Sequence, residues 1–235
     1  MAWIPIPERL AILKNNEGWF GRAPKEFQDA VLSRCAWVTC PAGRPIYRTT
    51  DTQVNFCGIV EGAVEIYSRF GVGDNPLLHI AHEGSWIGYG TVVGRSAPRV
   101  SAVARVDTLM AGIPDRNLRA LLEARPEWWE VIASGIMEYG DTAISAYADS
   151  LLDDHDRRCA SVLLRITGLN PPRRSRPERT DVPVTQGELA SMAHVSRSTL
   201  VQALRRFEAR GLIERGYRTL RVVDAPGLRA IAAGG

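Results

Sequence analysis

Residues Val184–Asp224 read VTQGELASMAHVSRSTLVQALRRFEARGLIERGYRTLRVVD, and the rest of the chain is best understood outward from them. Thr185 with Glu188 three residues on is a capping box, which satisfies the first free N–H groups of a helix. Leu189, Ala190 and Ala193 give that helix an apolar face. A turn at His194 and Val195 leads to Ser196, a second N-cap, and then to a helix from Arg197 to Ala209 with Leu200, Leu204 and Phe207 facing inward. Two short helices joined by a tight turn, the second basic on its outer face, make a helix-turn-helix. After Gly211, LIERGYRTLRVV predicts a two-stranded hairpin turning at Gly216, with Arg215, Tyr217 and Arg218 near its tip, so that the unit is winged.

The residue types suit duplex DNA. Placed in a major groove, the first turns of the second helix present Arg197, Ser198 and Gln202 to base edges; Arg197 can donate two bonds to guanine and Gln202 can pair with adenine. Thr185, Gln186, Ser196 and Thr199 stand at helix starts, where hydroxyls and free N–H groups suit phosphate oxygens. Arg215 and Arg218 of the wing are expected to track the backbone. Net charge is only +3, but 14 basic and 19 acidic residues precede position 155, against 15 basic and 7 acidic from there on. All 15 are Arg, whose rigid donor fork fits phosphate and guanine. Such asymmetry points to a nucleic-acid partner; an Arg-rich composition filling solvated faces is the other explanation.

Upstream, NPPRRSRPERTD (Asn170 to Asp181) has no apolar period and reads as a mobile linker or loop. Before it, a long helical stretch is expected from Pro126 to about Leu169. Within it Ile132, Ile136, Tyr139, Ala143, Ala146 and Ser150 recur at steps of four and three, a seam for pairing with an identical helix. The flanking face (Trp129, Ile144, Tyr147, Leu151) is expected to pack on the chain's own β structure. That structure is announced from Ala36 by short runs rich in Val, Ile, Tyr and Trp between turn residues: AWVTC, NFCGIV, AVEIYS, LLHIAH, SAVARV and LMAGI. Hairpins at this spacing close into a roll or barrel. A short helix over Pro24 to Cys35 precedes them, after an irregular start, and another (NLRALLEA) follows them.

The fold class expected is thus α+β: an antiparallel β roll over residues 1–125, a dimerisation helix over 126–154, and a winged helix-turn-helix over 155–235. With 45% hydrophobic and 23% charged residues, the composition is that of an ordinary globular protein. No apolar run approaches the roughly 18 residues needed to span a bilayer, and MAWIPIPERL lacks a basic n-region and an h-region, so a cytoplasmic location is expected. Cys35, Cys40, Cys57 and Cys159 are scattered, with no C-x-x-C pair, and most are expected to be small buried hydrophobes; a sensor built on the first three is the alternative. No Ser/His/Asp order, metal-ligand cluster, P-loop or dinucleotide fingerprint is present, so neither catalysis nor a metal or other cofactor is expected.

PAGRPIYR, GIVEGAVEIYS, EGSWIG, DDHDRRCASVLLRI and VSRSTLVQALRRFEARGLI together resemble the Crp/Fnr family of bacterial transcription regulators over roughly residues 24 to 225. The resemblance implies a cyclic-nucleotide-binding-type roll, homodimers on two-fold symmetric DNA, and contact with RNA polymerase. It makes Arg197 the guanine-reading Arg, with Thr185, Gln186, Ser196 and Thr199 on phosphates. Ser198 stands where a cytosine-accepting Glu is usual, and Gln202 where a second Arg is common, so the half-site is expected to differ from the best-known one.

The roll departs further from the family. Cyclic-AMP binders carry a Gly-Glu-Leu turn whose Glu holds the ribose; here it reads Gly88-Tyr89-Gly90. The Arg-Ser pair for the cyclic phosphate is replaced by Arg95-Ser96, too early in the loop, or by Arg99 and Ser101, split by Val100. Ala143 and Ile144 occupy the adenine-reading positions. Cyclic AMP is therefore not the expected effector. The pocket candidates are Trp86, Gly88, Tyr89, Arg99, Ser101 and Tyr139, which suit either a less polar ligand or a roll filled by its own side chains. A cyclic-AMP response through an atypical pocket, and a binding module acting through protein partners, are the competing readings. For haem, His79 and His82 are spaced on opposite faces of a strand.

Overall fold

In the computed structural model, which describes residues 6–68, 76–169, 180–216 and 219–235, each β-rich run after Cys35 forms a strand. Helices α1 (Ile6–Lys14), α2 (Trp19–Arg22) and α3 (Lys25–Leu32) come first. Strands β1 (Ala36–Cys40), β2 (Pro45–Tyr47), β3 (Asn55–Glu61), β4 (Ala63–Ser68), β5 (Leu77–His82) and β6 (Trp86–Ile87) follow. Helix α4 (Tyr89–Gly94) then precedes β7 (Val100–Ala104) and β8 (Thr108–Pro114). The strands form two antiparallel sheets, ordered β1-β8-β3-β6 and β2-β7-β4-β5. The β3–β4 hairpin passes from one sheet to the other at Gly62, where φ is +103° and a Cβ would lie 2.8 Å from the Asp107 carbonyl oxygen. Only glycine closes that turn without strain.

Two apolar cores result. Between the sheets lie Tyr47, Ile59, Val64, Ile66, Ala102 and Met110. Outside the first sheet, α1 to α3, α5 (Asp115–Ala124) and the first turns of α6 (Trp128–Ser150) enclose Phe20, Phe27, Phe56, Trp86, Trp128 and Ile132. Phe56 stacks on Trp86 with ring centroids 4.8 Å apart. Gly58 permits it, since a Cβ there would meet Trp86 and Leu13 at 2.9 Å. The start of the chain is not irregular as expected: Asn16 ends α1 by donating to the carbonyls of Ile12 and Leu13, and accepts from Gly18 N–H at 2.8 Å. Helices this short carry too few turns for a readable period, and their order comes from the aromatic core they cover.

The long helical stretch expected from Pro126 to about Leu169 is two helices, α6 and α7 (His155–Ile166). The break at 151–154 has a local cause. Asp154 takes an extended backbone and its carboxylate accepts the Arg157 N–H at 2.8 Å, capping a new helix. Just before the break, Asp149 is buried and joins Arg165 of α7 at 2.8 Å and the Ser161 hydroxyl at 2.5 Å.

Beyond α7 come β9 (Thr180–Val182), α8 (Gln186–Met192), α9 (Arg197–Ala209), β10 (Ile213–Arg215), β11 (Leu220–Val222) and α10 (Ala225–Ala233). The linker read over Asn170 to Asp181 lies largely outside the described residues. Its end, however, is the third strand of a sheet ordered β10-β11-β9. A three-residue strand has no period of its own and is defined by its partner. The chain divides into two compact units, Met1–Tyr139 and Gly140–Gly235. Among the described residues no helix is long and apolar enough to cross a membrane.

Candidate nucleic-acid interface and roll cavity

The capping box at Thr185 forms: its hydroxyl accepts the Glu188 N–H while the Glu188 carboxylate accepts the Thr185 N–H at 2.8 Å. Gln186, half-buried, opens α8 behind it. His194 turns the chain in the left-handed region (φ 50°), and Ser196 caps α9 by accepting the Thr199 N–H at 3.1 Å. Its hydroxyl also lies 2.8 Å from those of Ser198 and Thr199. Leu200, Ala203, Leu204 and Phe207 are buried beneath α9. Arg197, Ser198 and Gln202 are exposed on its outer face. At about 100° per residue, Arg205 falls within that same face, and it too is exposed. Helical spacing alone could have singled it out.

Among the described residues, most of the arginines of this half are occupied internally. Arg157 donates to the Ala232 carbonyl, Arg229 to that of Leu169, and Arg165 is the buried partner of Asp149. Arg158 binds the Leu152 carbonyl at 2.9 Å and that of His194 at 3.2 Å, tying the break after α6 to the turn between α8 and α9. Arg206 forms a two-point pair with Asp156, and Arg221 another with Asp181. Arg215, expected to track phosphates, instead meets Glu208 through Nε at 2.9 Å and through Nη2. Its guanidinium holds the Glu208 carboxyl below the usual carboxylate range. Arg197, Arg205 and Arg210 pair with no carboxylate among the described residues. Arg218, like Tyr217, lies outside the described residues.

Helix α6 divides along its length rather than by face: Trp129 packs on the outer core as expected, but so do Ile132 and Ile136 of the expected seam. Ile132 is 1% exposed within the outer core of the roll and Ile136 packs against that core, so neither is open to a partner helix. Met137, Ile144, Tyr147 and Leu151 are instead between 63% and 68% exposed. Of the residues expected on the seam, Ala143 is exposed and Ala146 half-buried.

Inside the first unit a cavity of about 290 Å³ lies against Tyr47, Ile66, Ile87, Gly88, Tyr89, Val93, Pro98, Arg99, Val100, Ile136 and Tyr139. Gly88, Tyr89, Arg99 and Tyr139 were expected here. Trp86 is not in the lining because its ring is stacked in the outer core, and Ser101 is not because it is drawn aside to accept the Thr49 N–H at 3.3 Å. Gly88 has φ +97°, and a Cβ on it would lie 2.6 Å from the Asn55 carbonyl oxygen. Its N–H bonds to the Tyr47 hydroxyl, and Trp19 bonds to that of Tyr89. Gly135 makes room for this packing, since a Cβ there would meet Trp19 at 2.8 Å and the Tyr89 hydroxyl at 2.9 Å. Burial pushes all three tyrosines up, and at Tyr89 the negative Glu138 carboxylate is the next cause to reinforce the shift. The carboxylate near Tyr89 is Glu138, itself held by the Trp19 N–H at 2.9 Å and by Arg22. Arg95 turns to Glu123 at 3.6 Å, whereas Arg99 pairs with no described carboxylate.

The four thiols are free; Cys40, Cys57 and Cys159 are buried and Cys35 half-buried. Burial raises Cys35, Cys57 and Cys159 to about 12, which keeps them protonated and unreactive. Among the described residues no three His, Cys, Asp or Glu side chains gather as a metal site.

Comparison with known proteins places both halves. Residues 37–125 match the cyclic nucleotide-binding domain, and residues 157–231 match the Crp-like helix-turn-helix domain. A cyclic nucleotide binding protein of Ruegeria pomeroyi, so designated provisionally, is 17% identical with a TM-score of 0.69, covering 99% of this chain and 100% of its own. FixK2 of Bradyrhizobium japonicum is 14% identical with a TM-score of 0.69 over 86% of this chain and 98% of its own. TTHB099, a CRP-family transcriptional regulator of Thermus thermophilus, is 20% identical with a TM-score of 0.62 over 84% and 97%. No curated protein matches the sequence significantly.

Proposed function

The chain belongs to the Crp/Fnr family of transcription regulators, and from that premise we propose that it is a cytoplasmic homodimer that reads a two-fold symmetric DNA site without needing cyclic AMP. The observation that carries the DNA reading is the disposition of the arginines. Those that hold the second unit together are consumed in internal bonds, while Arg197 and Arg205 stand unpaired on the outer face of α9. In the major groove, Arg197 donates to a guanine edge, Ser198 and Gln202 face neighbouring bases, and Arg205 adds a further cation on that face. Thr185, Gln186, Ser196, Thr199 and Arg218 set the register on phosphates.

Pairing runs through the exposed side of α6. Ile144, Tyr147 and Leu151 follow one another at steps of three and four, seven residues after Met137, the spacing of a coiled-coil seam. Four large apolar side chains left in water at that spacing favour a second copy of the same helix. Bound to DNA, the dimer contacts RNA polymerase. It is not an enzyme. Independence from cyclic AMP is supported by Gly88-Tyr89-Gly90, which supplies no carboxylate for a ribose.

Selection of bound sequences from a random duplex library, with and without cyclic AMP, tests the whole reading. A palindromic motif recovered without nucleotide is expected. A motif appearing only with cyclic AMP would overturn the ligand reading, and absence of any motif would favour a module that acts through protein partners.

A further inference from the structure

The cavity beneath α4 differs from a nucleotide site in what its polar groups can do. The Tyr47 hydroxyl already accepts from Gly88 N–H, and that of Tyr89 accepts from Trp19, so each keeps its O–H proton to donate. The Tyr139 hydroxyl bonds to no described residue. The Thr91 hydroxyl is turned away onto the Gly88 carbonyl at 3.4 Å. At the rim stands Arg99, exposed and unpaired, while the neighbouring Arg95 is occupied by Glu123. Ser96 adds an exposed hydroxyl, and the remaining side chains of the wall are apolar: Ile66, Ile87, Val93, Pro98, Val100 and Ile136. Among the described lining residues no carboxylate or amide side chain offers an acceptor.

From this donor-rich, carboxylate-free lining we propose that the cavity binds a compact apolar carboxylic acid, its carboxylate on Arg99 and its body among the aliphatic and tyrosine side chains. The inference rests on the regulator reading for its purpose, though not for its chemistry. A carboxylate is acceptor-only, with about four lone-pair sites, and matches a guanidinium and phenol O–H donors. A sugar or adenine brings hydroxyl and amino donors that would be buried without partners, which is costly. At about 290 Å³ the space is at the small end of ligand cavities. Because Ile136 and Tyr139 of α6 form one wall, an occupant bears directly on that helix.

Isothermal titration of the full-length protein with 3-phenylpropanoate and octanoate separates an aromatic from an aliphatic source. The matched alcohols, 3-phenylpropan-1-ol and octan-1-ol, isolate the head group, and cyclic AMP serves as the competing chemistry. At least one acid is expected to saturate at one per chain and to bind at least tenfold more tightly than its alcohol. Arg99→Gln, at an exposed position that leaves the fold intact, should erase that tenfold preference. Gly90→Phe should abolish binding by filling the cavity, since a Cβ there meets nothing closer than Pro98 at 3.8 Å. Acids and alcohols binding equally, neither acid binding, or cyclic AMP binding in their place would each overturn the proposal. Acid binding by a protein that selects no DNA motif would sink the regulator reading alone; a motif without acid binding would sink only the ligand.

Discussion

The reader unit and the roll place their polar side chains in opposite ways. In the reader unit most of the described arginines, from the buried Arg165 to the exposed Arg221, are bound to carbonyls and carboxylates of their own unit, and Arg197, Arg205 and Arg210 are left over. In the roll, polar groups enter the interior, where tyrosine hydroxyls are held by Gly88 and Trp19 with their protons still available. The comparison teaches that a surplus of one residue type does not locate a site. What locates it is the subset that the fold leaves without an internal partner.

The sharpest break of that comparison is at Asp149. It is 6% exposed and Arg165 is 5% exposed, so removing either alone strands a buried charge. Asp149→Ala or Arg165→Ala should lower the stability of the second unit by about 3–5 kcal/mol, whereas replacing both with apolar residues of similar volume should be far milder. Urea denaturation of the single and double variants decides it; a double variant whose loss equals the sum of the two single losses would mean the pair is not a unit.

Next in size is the exposed side of α6. Ile144→Glu should turn the dimer into a monomer at micromolar concentration in analytical ultracentrifugation, with a loss of DNA affinity. If Ile144→Glu stays dimeric, pairing uses another surface.

Within the reader helix, Arg197→Ala should weaken binding by about 1–3 kcal/mol and relax preference at one base pair. Arg205→Ala should reduce the slope of log affinity against log salt by about 1 if it meets a phosphate. Arg215→Ala should leave that slope almost unchanged, because Glu208 already compensates its charge. Titrations at several salt concentrations on selected and random duplexes rank the three, and equal loss on both duplexes for Arg197→Ala removes it from base reading.

The smallest effect is electrostatic. Arg215 depresses the Glu208 pKa in the folded state. Its contribution to stability is therefore complete above the unfolded carboxyl range and is lost as pH falls through the lower folded value. For a pair this exposed the effect is under about 1 kcal/mol. Carboxyl chemical shifts of Glu208 followed into acid should titrate below those of unpaired glutamates, and Glu208→Gln should remove the acid-range step.

Much of the reader unit was legible because its signals are local. A capping box, an N-cap and an apolar stripe each act within one or two turns, so Thr185, Glu188, Ser196, Leu200 and Phe207 announce both helices and the face left over. The strands of the roll were legible for the same reason, since alternation and turn residues are short-range. Where readings missed, a local cap was overlooked or the deciding partner was far away in sequence. The break after Ser150 depends on Asp154 capping in preference to helix continuing, and on Asp149 facing Arg165. The third strand of the wing sheet exists because β9 pairs with β11, whose Arg221 also meets Asp181 across forty residues.

The two faces of α6 mark the boundary most clearly. Two apolar stripes along this helix follow from its residues alone, because side-chain period is a property of the helix itself. Which turns meet the roll was decided only in three dimensions, by Ile132 entering the aromatic core around Trp128 with Trp129 and Ile136 beside it, and by Gly135 admitting Trp19 and Tyr89. The cavity has the same origin. The lost carboxylate at Gly88-Tyr89-Gly90 could be read from the letters, but not that Trp86 would leave the lining for Phe56, or that Arg99 would remain unpaired while Arg95 found Glu123. Local hydrogen bonding and periodicity are written in neighbouring residues, whereas burial and partnership depend on which distant surfaces arrive first-hand against each side chain.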